Sequence, residues 1–314
     1  MSDRKKILVT CPPMLGLIEE FVEDFEAKGL DFVAPPVVQL MNESELIEML
    51  PAYDGWIIGD DPATAAALEA GAAGKLRAIV KWGVGVDNVD FDAANRLGLQ
   101  STNTPGVFGR EVADLAMNYV GALARHTFFI DREIRQNCSW PKPAGISLAN
   151  KKVGLVGFGD IGRNTAKRML AADMEVTVYD PCFKAVEGLA VTPAQWPQGI
   201  FALDFLVFTA PLNPETRHML HCGLLDQLKP GVRIVNVGRG PVIEEQALVD
   251  GLRDGVIHSV GLDVFEVEPL PADSPLRSYP YNIFGSHNGS NTVDAVQRVS
   301  RMAIDLIAGY LQDA

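Results

Sequence analysis

Apolar residues along this chain fall into short runs that alternate with longer stretches in which they recur every three or four positions. The short runs are rich in β-branched residues and predict buried strands, whereas the wider spacing predicts amphipathic helices. In the first hundred residues this pattern predicts strands at 6–10, 31–34, 55–59 and 77–83. It predicts helices at 14–29, 44–50, 63–71 and 90–98, with Ser44 as the cap of the second.

Residues 107–137 contain no proline and carry apolar side chains at helical spacing, which predicts one long helix or two helices in series. A proline-containing stretch at 139–145 ends this segment, and the alternation then resumes. Strands are predicted at 152–157, 175–179, 204–208, 232–237 and 257–262, and helices at 161–171, 223–228, 244–254 and 291–313. Alternating strands and helices indicate an α/β protein with parallel sheets.

Length and composition narrow the class of protein. The chain has 314 residues, enough for about two domains, with 47% hydrophobic and 21% charged residues. Its net charge of −13 disfavours nucleic acid and anionic membranes as partners. The first strand stops at Cys11, so it is not a signal peptide, and no apolar run has the length of a membrane span. The four cysteines form no CxxC pair, which favours free thiols, a cytoplasmic location and no metal site.

The segment around residues 152–170 carries a G-x-G-x-x-G pattern between a predicted strand and a predicted helix. In a dinucleotide-binding loop, Gly157 permits a tight turn and Gly159 lets the backbone approach a pyrophosphate. Gly162 allows the helix to pack closely on the strand, and the helix N-terminus favours the phosphate charge. The alternatives are a purely structural glycine turn and a different adenosine ligand.

An acidic residue follows this loop at the distance expected for a ribose contact. Asp180 ends the next predicted strand, about 20 residues after the glycines. A carboxylate there accepts hydrogen bonds from the ribose hydroxyls and repels a 2′-phosphate, which favours NAD over NADP. Arg163 is the residue that could instead help to bind a 2′-phosphate, although a solvated helix position also explains it.

Taken together, the motifs resemble the NAD-dependent D-isomer-specific 2-hydroxyacid dehydrogenases, with a pattern like that of phosphoglycerate dehydrogenases, over nearly the whole chain. The resemblance is carried by KWGVGVDNVD (81–90), NTPGVFGREVADLAM (103–117), GFGDIGR (157–163), ETRHMLHCGLLDQLKPGVRIVNVGRGPVIEEQAL (215–248), LDVFEVEP (262–269) and SHNGSNT (286–292). It implies two doubly wound, Rossmann-like domains with the active site in the cleft between them. Residues 1–101 plus 287–314 would form a discontinuous, flavodoxin-like substrate-binding domain, and 102–286 the NAD-binding Rossmann domain. It also implies a homodimer.

The resemblance assigns three residues to catalysis. Arg239 would bind the substrate carboxylate and polarise its carbonyl, since a guanidinium is planar and always charged. His287 would be the acid/base, because imidazole both takes and returns a proton near neutral pH. Glu268 would be the carboxylate partner of His287. Glu266 is a rival for that role, but the family pattern places the partner directly before Pro269, so Glu266 is expected to be solvated.

Further contacts are implied by the same resemblance. The backbone N–H groups of Val84, Gly85 and Val86 would bind the substrate carboxylate, and the adjacent Lys81 and Trp82 would either contact substrate or pack structurally. Asp263 would accept from the nicotinamide carboxamide or, alternatively, cap a strand end. The residues assigned to the cofactor are Gly157, Phe158, Gly159, Asp160, Ile161, Gly162, Asp180, Pro211, Thr216, Val237, Gly238 and Asp263.

The implied reaction is hydride transfer between NAD(H) and a small-molecule D-2-hydroxy acid or 2-oxo acid, with 3-phosphoglycerate, hydroxypyruvate and glyoxylate as candidates. Relatives that oxidise 3-phosphoglycerate often carry an Arg after the third strand, where this chain has GDDPAT (59–64). Two aspartates there are expected to repel a phosphate, although Lys81, Arg77 or a partner subunit could compensate for their charge. Two alternatives remain on the same fold. One is a non-catalytic, corepressor-like protein that senses NAD, and the other is an oxidoreductase that acts on another hydride donor such as phosphite.

Overall fold

A computed structural model describes residues 4–312, which form two compact units. One unit comprises the residues up to Phe108 and those from Asn291 onward, and the other comprises Gly109–Ser290. The boundaries predicted from the sequence are 102 and 286. The assignment of substrate binding to one unit and NAD binding to the other, and the position of the active site, stay predictions.

The first unit is built on a parallel five-stranded sheet with the order β2-β1-β3-β4-β5. Its strands are β1 Lys5–Val9, β2 Leu30–Val33, β3 Gly55–Ile58, β4 Ala78–Lys81 and β5 Gln100–Asn103. All residues of β3 and β4 are buried, as expected for strands covered by helices on both faces. This order is that of flavodoxin-like doubly wound sheets.

The helices of the first unit are α1 Pro12–Leu15, α2 Val22–Ala27, α3 Glu43–Met49, α4 Ala65–Ala73, α5 Phe91–Arg96 and α10 Val293–Gln312. The prediction of one helix at 14–29 was wrong, because the backbone leaves helical geometry at Leu17 and continues as a 3₁₀ turn before α2. The predicted cap Ser44 was also wrong. Asn42 caps α3 in a capping box with Glu45, in which each side chain accepts from the other residue's backbone N–H.

The second unit is built on a parallel seven-stranded sheet with the order β12-β11-β10-β9-β6-β7-β8. Its strands are β6 Lys152–Val156, β7 Glu175–Tyr179, β8 Thr192–Ala194, β9 Phe205–Phe208, β10 Val232–Asn236, β11 Ile257–Leu262 and β12 Ile283–Phe284. From β6 the strand order runs outward to β8, and it then continues in the opposite direction from β9 on the other side of β6, as in the Rossmann fold. The two parallel sheets confirm the predicted fold class. The sequence did not predict the short strands β5, β8 and β12.

The helices of the second unit are α6 Gly109–Arg125, α7 Thr127–Asn137, α8 Asp160–Ala171 and α9 Glu245–Arg253. Two helices in series, the second of the predicted alternatives, form between 107 and 137. They are separated by His126, which has a left-handed φ of 55°. The helix predicted at 223–228 is instead a 3₁₀ helix, Cys222–Gln227, that ends in extended backbone two residues before Pro230. Within residues 4–312, none of the helices combines the length and apolarity required to cross a bilayer.

Candidate active site

The glycine-rich loop connects β6 to α8, and its three glycines have different surroundings. Gly157 has a φ of 93°, and a Cβ there would lie 2.8 Å from the backbone nitrogen of Ala210. A Cβ on Gly162 would lie 2.2 Å from the carbonyl oxygen of Gly157, so this glycine is needed for helix–strand packing. A Cβ on Gly159 would meet no atom within 4 Å, and this residue is exposed at the helix N-terminus. An open backbone beside a helix N-terminus fits a dinucleotide pyrophosphate.

Asp180 follows β7 and is held in one orientation by the backbone. Its Oδ2 accepts from the N–H of Phe158 at 2.6 Å, and its Oδ1 accepts from the N–H of Cys182 at 2.7 Å. The carboxylate is therefore joined directly to the glycine loop, and its contact with a ribose stays a prediction. Arg163 is exposed, and its Nε donates to the carbonyl of Phe158 at 2.9 Å.

Two more segments predicted to contact the cofactor form tight local structures. The Thr216 hydroxyl donates to the carbonyl of Pro211 at 2.6 Å and accepts from the N–H of Asn213 at 2.9 Å. Val237 and Gly238 directly follow β10 and are buried. Asp160 and Ile161 lie in the first turn of α8, next to the glycines.

Arg239 lies just beyond the carboxyl end of β10, where ligands bind in open parallel sheets. The buried Asn236 shapes this turn, since its Oδ1 accepts from the N–H of Gly238 at 3.0 Å and its Nδ2 donates to the carbonyl of Arg239 at 2.9 Å. The Arg239 guanidinium donates back to the carbonyl of Gly238 at 3.0 Å. Sequence reasoning missed Asn236, although a buried polar residue at the end of a largely apolar strand was a visible signal.

The predicted carboxylate–histidine pair is formed. Nδ1 of His287 lies 2.7 Å from Oε2 of Glu268, and Oε1 of Glu268 accepts from the N–H of Phe265 at 2.9 Å. Both side chains are about three-quarters buried, with 24% and 22% of their surface exposed. With Nδ1 bonded to Glu268, a proton that passes between this histidine and a substrate must be carried by Nε2.

Asp263 organises the turn that carries His287. Its backbone carbonyl accepts from the N–H of His287 at 2.7 Å, and its carboxylate accepts from the N–H groups of Asn288 and Gly289 at 3.1 and 2.8 Å. Burial raises the pKa of the Asp263 carboxyl, and burial raises that of the neighbouring Tyr119 hydroxyl, which is hydrogen-bonded to Asp263. These contacts agree with the strand-end cap, and the carboxamide contact stays a prediction. Sequence reasoning missed Tyr119.

Glu266 is not solvated as expected. Its Oε1 lies 2.6 Å from Nε2 of His218, and its Oε2 accepts from the N–H of Glu245 at 2.9 Å. Only 26% of its side chain is exposed. No local pattern pointed to this pair, because its two members are 48 positions apart.

In the first unit, the loop after β4 carries the residues predicted to bind the substrate carboxylate. The Thr104 hydroxyl accepts from the N–H of Gly83 at 2.8 Å, and Asn103 donates to the carbonyl of Val84 at 3.0 Å. Among the described residues, no backbone hydrogen bond is donated by Val84, Gly85 or Val86. The two valine side chains are 41% and 43% exposed. The N–H groups of this loop are thus oriented by flanking bonds that leave them able to donate to an anion.

Lys81 and Trp82, which precede this loop, are buried structural residues. The Lys81 ammonium donates to the carbonyl of Gly59 and forms an ion pair with Asp60 at 3.1 Å. The Trp82 indole donates to the Ser300 hydroxyl at 3.1 Å.

Of the two aspartates of GDDPAT that were expected to repel a phosphate, Asp61 is fully buried. Its carboxylate accepts from Thr10 and from the N–H groups of Met41 and Gly59. Burial raises the pKa of Asp61. Only Asp60, with 38% of its side chain exposed, carries charge at the surface here.

The chain is similar to known 2-hydroxyacid dehydrogenases in both sequence and structure. Residues 117–289 match the family model described as D-isomer specific 2-hydroxyacid dehydrogenase, NAD binding domain. The chain is 35% identical to hydroxypyruvate reductase from Thermotoga maritima, over 85% of this chain and 88% of that protein. It is 33% identical to glyoxylate/hydroxypyruvate reductase B from Yersinia enterocolitica, over 86% and 84%. The structure matches the pyruvate reductase of Chlamydomonas reinhardtii with a TM-score of 0.83 at 25% identity, over 99% and 97% of the two chains.

Proposed function

Because the chain belongs to the D-isomer-specific 2-hydroxyacid dehydrogenases, we propose that it reduces a small, unphosphorylated 2-oxo acid such as hydroxypyruvate or glyoxylate. It is an NAD-dependent oxidoreductase that acts on 2-hydroxy acid and 2-oxo acid pairs. The observation that carries the proposal is the hydrogen bond between Glu268 and His287, in the same unit as the glycine loop. The two relatives named above are reductases by name, which favours the reductive direction.

Each catalytic residue has a defined part in this proposal. Bound NADH supplies the hydride that reduces the carbonyl carbon. Arg239 binds the carboxylate and polarises the carbonyl with its charged, planar guanidinium. His287 donates the proton on Nε2 to the developing alkoxide and takes it back in the reverse direction. Glu268 holds the ring through Nδ1 and stabilises the imidazolium form.

The remaining assignments of the sequence are part of the same proposal. The N–H groups of Val84, Gly85 and Val86 bind the substrate carboxylate. Asp180 binds the adenosine ribose, and Gly159 allows the backbone to approach the pyrophosphate. The other cofactor contacts proposed are Gly157, Phe158, Asp160, Ile161, Gly162, Pro211, Thr216, Val237, Gly238 and Asp263.

The first unit favours a substrate without a phosphate. Lys81 is the cation closest to the substrate loop in sequence, and its charge is already paired with Asp60. The exposed part of Asp60 would repel a phosphate monoester. We therefore place hydroxypyruvate and glyoxylate ahead of phosphohydroxypyruvate, the oxo acid that corresponds to 3-phosphoglycerate.

The test is NADH oxidation, followed by absorbance, across a panel of 2-oxo acids: glyoxylate, hydroxypyruvate, phosphohydroxypyruvate, and branched and aromatic acids. We expect turnover of the small unphosphorylated acids, with weaker turnover when NADPH replaces NADH. Preference for phosphohydroxypyruvate would contradict the substrate class. No turnover of any acid while NADH still binds would favour the corepressor-like protein, and reduction of NAD by phosphite would favour the other hydride donor.

A homodimer is proposed from the surface of the second unit. Phe128 and Ile134 on α7 and Trp140 just beyond it are 48%, 39% and 76% exposed. Large apolar side chains exposed this close together in sequence are typical of an interface between subunits. Light scattering should give the mass of a dimer, and Ile134→Asp together with Trp140→Ser should give a monomer; a monomeric wild-type protein would contradict the proposal.

A reducing, cytoplasmic environment is proposed from the cysteines. Cys11, Cys138, Cys182 and Cys222 are all free thiols. Alkylation of the purified, unfolded protein without reductant should modify all four, whereas a disulfide would contradict the proposal.

A further inference from the structure

A second histidine–carboxylate pair lies beside the proposed catalytic pair in the second unit. Nε2 of His218 is 2.6 Å from Oε1 of Glu266, and Glu266 is separated from Glu268 by only one residue. The side chains of the pair are 37% and 26% exposed. The pair is thus partly shielded from water, which strengthens a charge-assisted hydrogen bond.

The other oxygen of Glu266 is also occupied. Its Oε2 accepts at 2.9 Å from the N–H of Glu245, the first residue of α9. A carboxylate is favoured at this position because the first N–H groups of a helix have no partner within the helix. With both oxygens bonded, the direction of the Glu266 side chain is fixed, and this side chain joins the segment around residue 266 to the N-terminus of α9.

The same contacts reach the loop of Arg239. The N–H of His218 donates to the carbonyl of Pro241 at 2.8 Å. A Cβ on Gly240 would lie 1.8 Å from the carbonyl oxygen of Phe265, so the two backbones are in direct contact at this glycine. The Arg239 loop and the segment that carries Glu268 are therefore packed against each other, and Glu266 with His218 bonds them together.

We propose that Glu266 is a positioning residue, which together with His218 fixes segment 265–268 so that Glu268 holds His287. The inference rests on the proposed function, because it takes Glu268 and His287 as the acid/base pair. Among the hydrogen bonds in residues 4–312, the Glu268 carboxylate makes one with His287 and one with the N–H of Phe265. The bonds of Glu266 help to hold Glu268 in place, because they immobilise the residue directly after Phe265.

The variant that tests this role is Glu266→Gln, which keeps the size of the side chain. Glutamine has one acceptor oxygen, so it cannot accept from both His218 and Glu245. We expect kcat to fall about tenfold, the effect of losing one hydrogen bond to a charged group. The matched control is Val267→Ala, which alters the exposed side chain between the two glutamates and should leave kcat unchanged.

A double variant separates positioning from a general structural effect. In a Glu268→Gln background, Glu266→Gln should lower kcat by less than about twofold further, because the carboxylate that it positions is gone. Binding of NADH, measured by fluorescence, should change by less than about twofold in either background. If the kcat of the double variant falls by the product of the factors measured in the two single variants, the proposal is overturned.

A readout without turnover makes the inference independent of the substrate. Histidine ring signals are titrated by NMR, and the signal of His287 is identified by its loss in His287→Asn. In Glu266→Gln the titration midpoint of this signal should move to lower pH, because a displaced Glu268 stabilises the imidazolium less. In Val267→Ala it should not move.

The outcomes distinguish this inference from the proposed function. An inactive wild-type protein whose His287 midpoint still moves in Glu266→Gln supports the positioning role and counts against the proposed reaction. An active wild-type protein in which Glu266→Gln behaves like Val267→Ala in both kcat and midpoint overturns the positioning role. If Glu266→Gln does not fold, the same measurements are made on His218→Asn. This variant removes the bond between His218 and Glu266 and keeps the bond between Glu266 and the N–H of Glu245.

Discussion

Glu268 and His287 are joined by a hydrogen bond of 2.7 Å between Oε2 and Nδ1, although they are 19 positions apart in the chain. The second oxygen of Glu268 accepts from the N–H of Phe265, so the carboxylate is held from both sides. This relationship fixes the orientation of the imidazole and leaves proton transfer to Nε2.

Replacing His287 should remove the proton donor without removing the binding site. His287→Asn should lower kcat by about 10²–10⁴-fold, the usual contribution of general acid–base catalysis. The KM for the 2-oxo acid should change much less, since Arg239 and the substrate loop still bind the carboxylate. Steady-state kinetics with NADH measure both constants, and a kcat near that of the wild type would exclude His287 as the acid/base.

Arg239 should be needed for the substrate and not for the cofactor. Arg239→Ala should lower kcat/KM by about 10²–10³-fold, as expected for loss of a group that stabilises the developing charge. Arg239→Lys should recover only part of this, because an ammonium cannot form the bidentate contact. NADH binding, measured by fluorescence, should persist in both variants; its loss would show that Arg239 supports the cofactor instead.

Two glycines of the nucleotide loop should respond differently to the same substitution. Gly162→Ala places a methyl group 2.2 Å from the carbonyl oxygen of Gly157 and should destabilise the protein by about 1–3 kcal/mol. Gly159→Ala meets no protein atom within 4 Å, so its free energy of unfolding should change by less than about 1 kcal/mol.

NADH binding should be affected more by Gly159→Ala than by Gly162→Ala, which is the reverse of the order for stability. Gly159→Ala should weaken NADH binding at least about tenfold, because the methyl group would stand where the backbone approaches the pyrophosphate. Urea unfolding and fluorescence titration of both variants provide the comparison. Unimpaired NADH binding by Gly159→Ala would contradict the assignment of this loop to the cofactor.

Asp180 should set the preference for NADH over NADPH. Asp180→Asn keeps the shape of the side chain but removes the charge that repels a 2′-phosphate, so the ratio of the two kcat/KM values should fall by about tenfold. Arg163→Gln is the companion variant, because Arg163 is the other residue considered for a 2′-phosphate. An unchanged ratio in Asp180→Asn, or a larger effect in Arg163→Gln, would contradict the role of Asp180.

The stability of the protein should fall in mild acid, partly through His258. Burial, with help from the nearby charge of Arg233 and from His126, lowers the pKa of His258 to about 4 from an ordinary value of 6.5. Between these two pH values the unfolded chain binds the proton and the folded chain does not, so stability decreases as the pH falls through this window. Burial also lowers the pKa of His126, which contributes in the same direction.

Urea unfolding at about pH 7.5 and about pH 5 measures this effect. The loss of unfolding free energy between the two should be smaller in His258→Gln than in the wild type. The control is Val38→Ala, which alters an exposed side chain that does not titrate and should keep the wild-type loss. Equal losses in the wild type and His258→Gln would exclude His258 as a source of acid sensitivity.

The pattern of apolar residues was sufficient for most of the fold. Strands such as β7 and β11 were predicted to the residue, because apolar residues recur through each of them and an aspartate, Asp180 or Asp263, directly follows the strand. The short edge strands β5, β8 and β12 were missed, because β5 and β8 carry little apolar signal of their own and β12 has only two residues. The cap at Asn42 was readable from the sequence, as a capping box with Glu45, and was overlooked.

For the site, the sequence by itself determined the glycine loop, the acidic residue after β7 and the resemblance that selected Arg239, Glu268 and His287. These features depend on local geometry or on short motifs, so the chain order reveals them. Only the tertiary structure decided that Asp61 is buried, that Asn236 shapes the turn of Arg239, and that Glu266 pairs with His218. The bonds of Asn236 are local, and the path of the backbone after β10 decides them. The contacts of Asp61 and Glu266 join segments far apart in the chain, because neighbouring parallel strands bring their carboxyl ends to the same edge of the sheet.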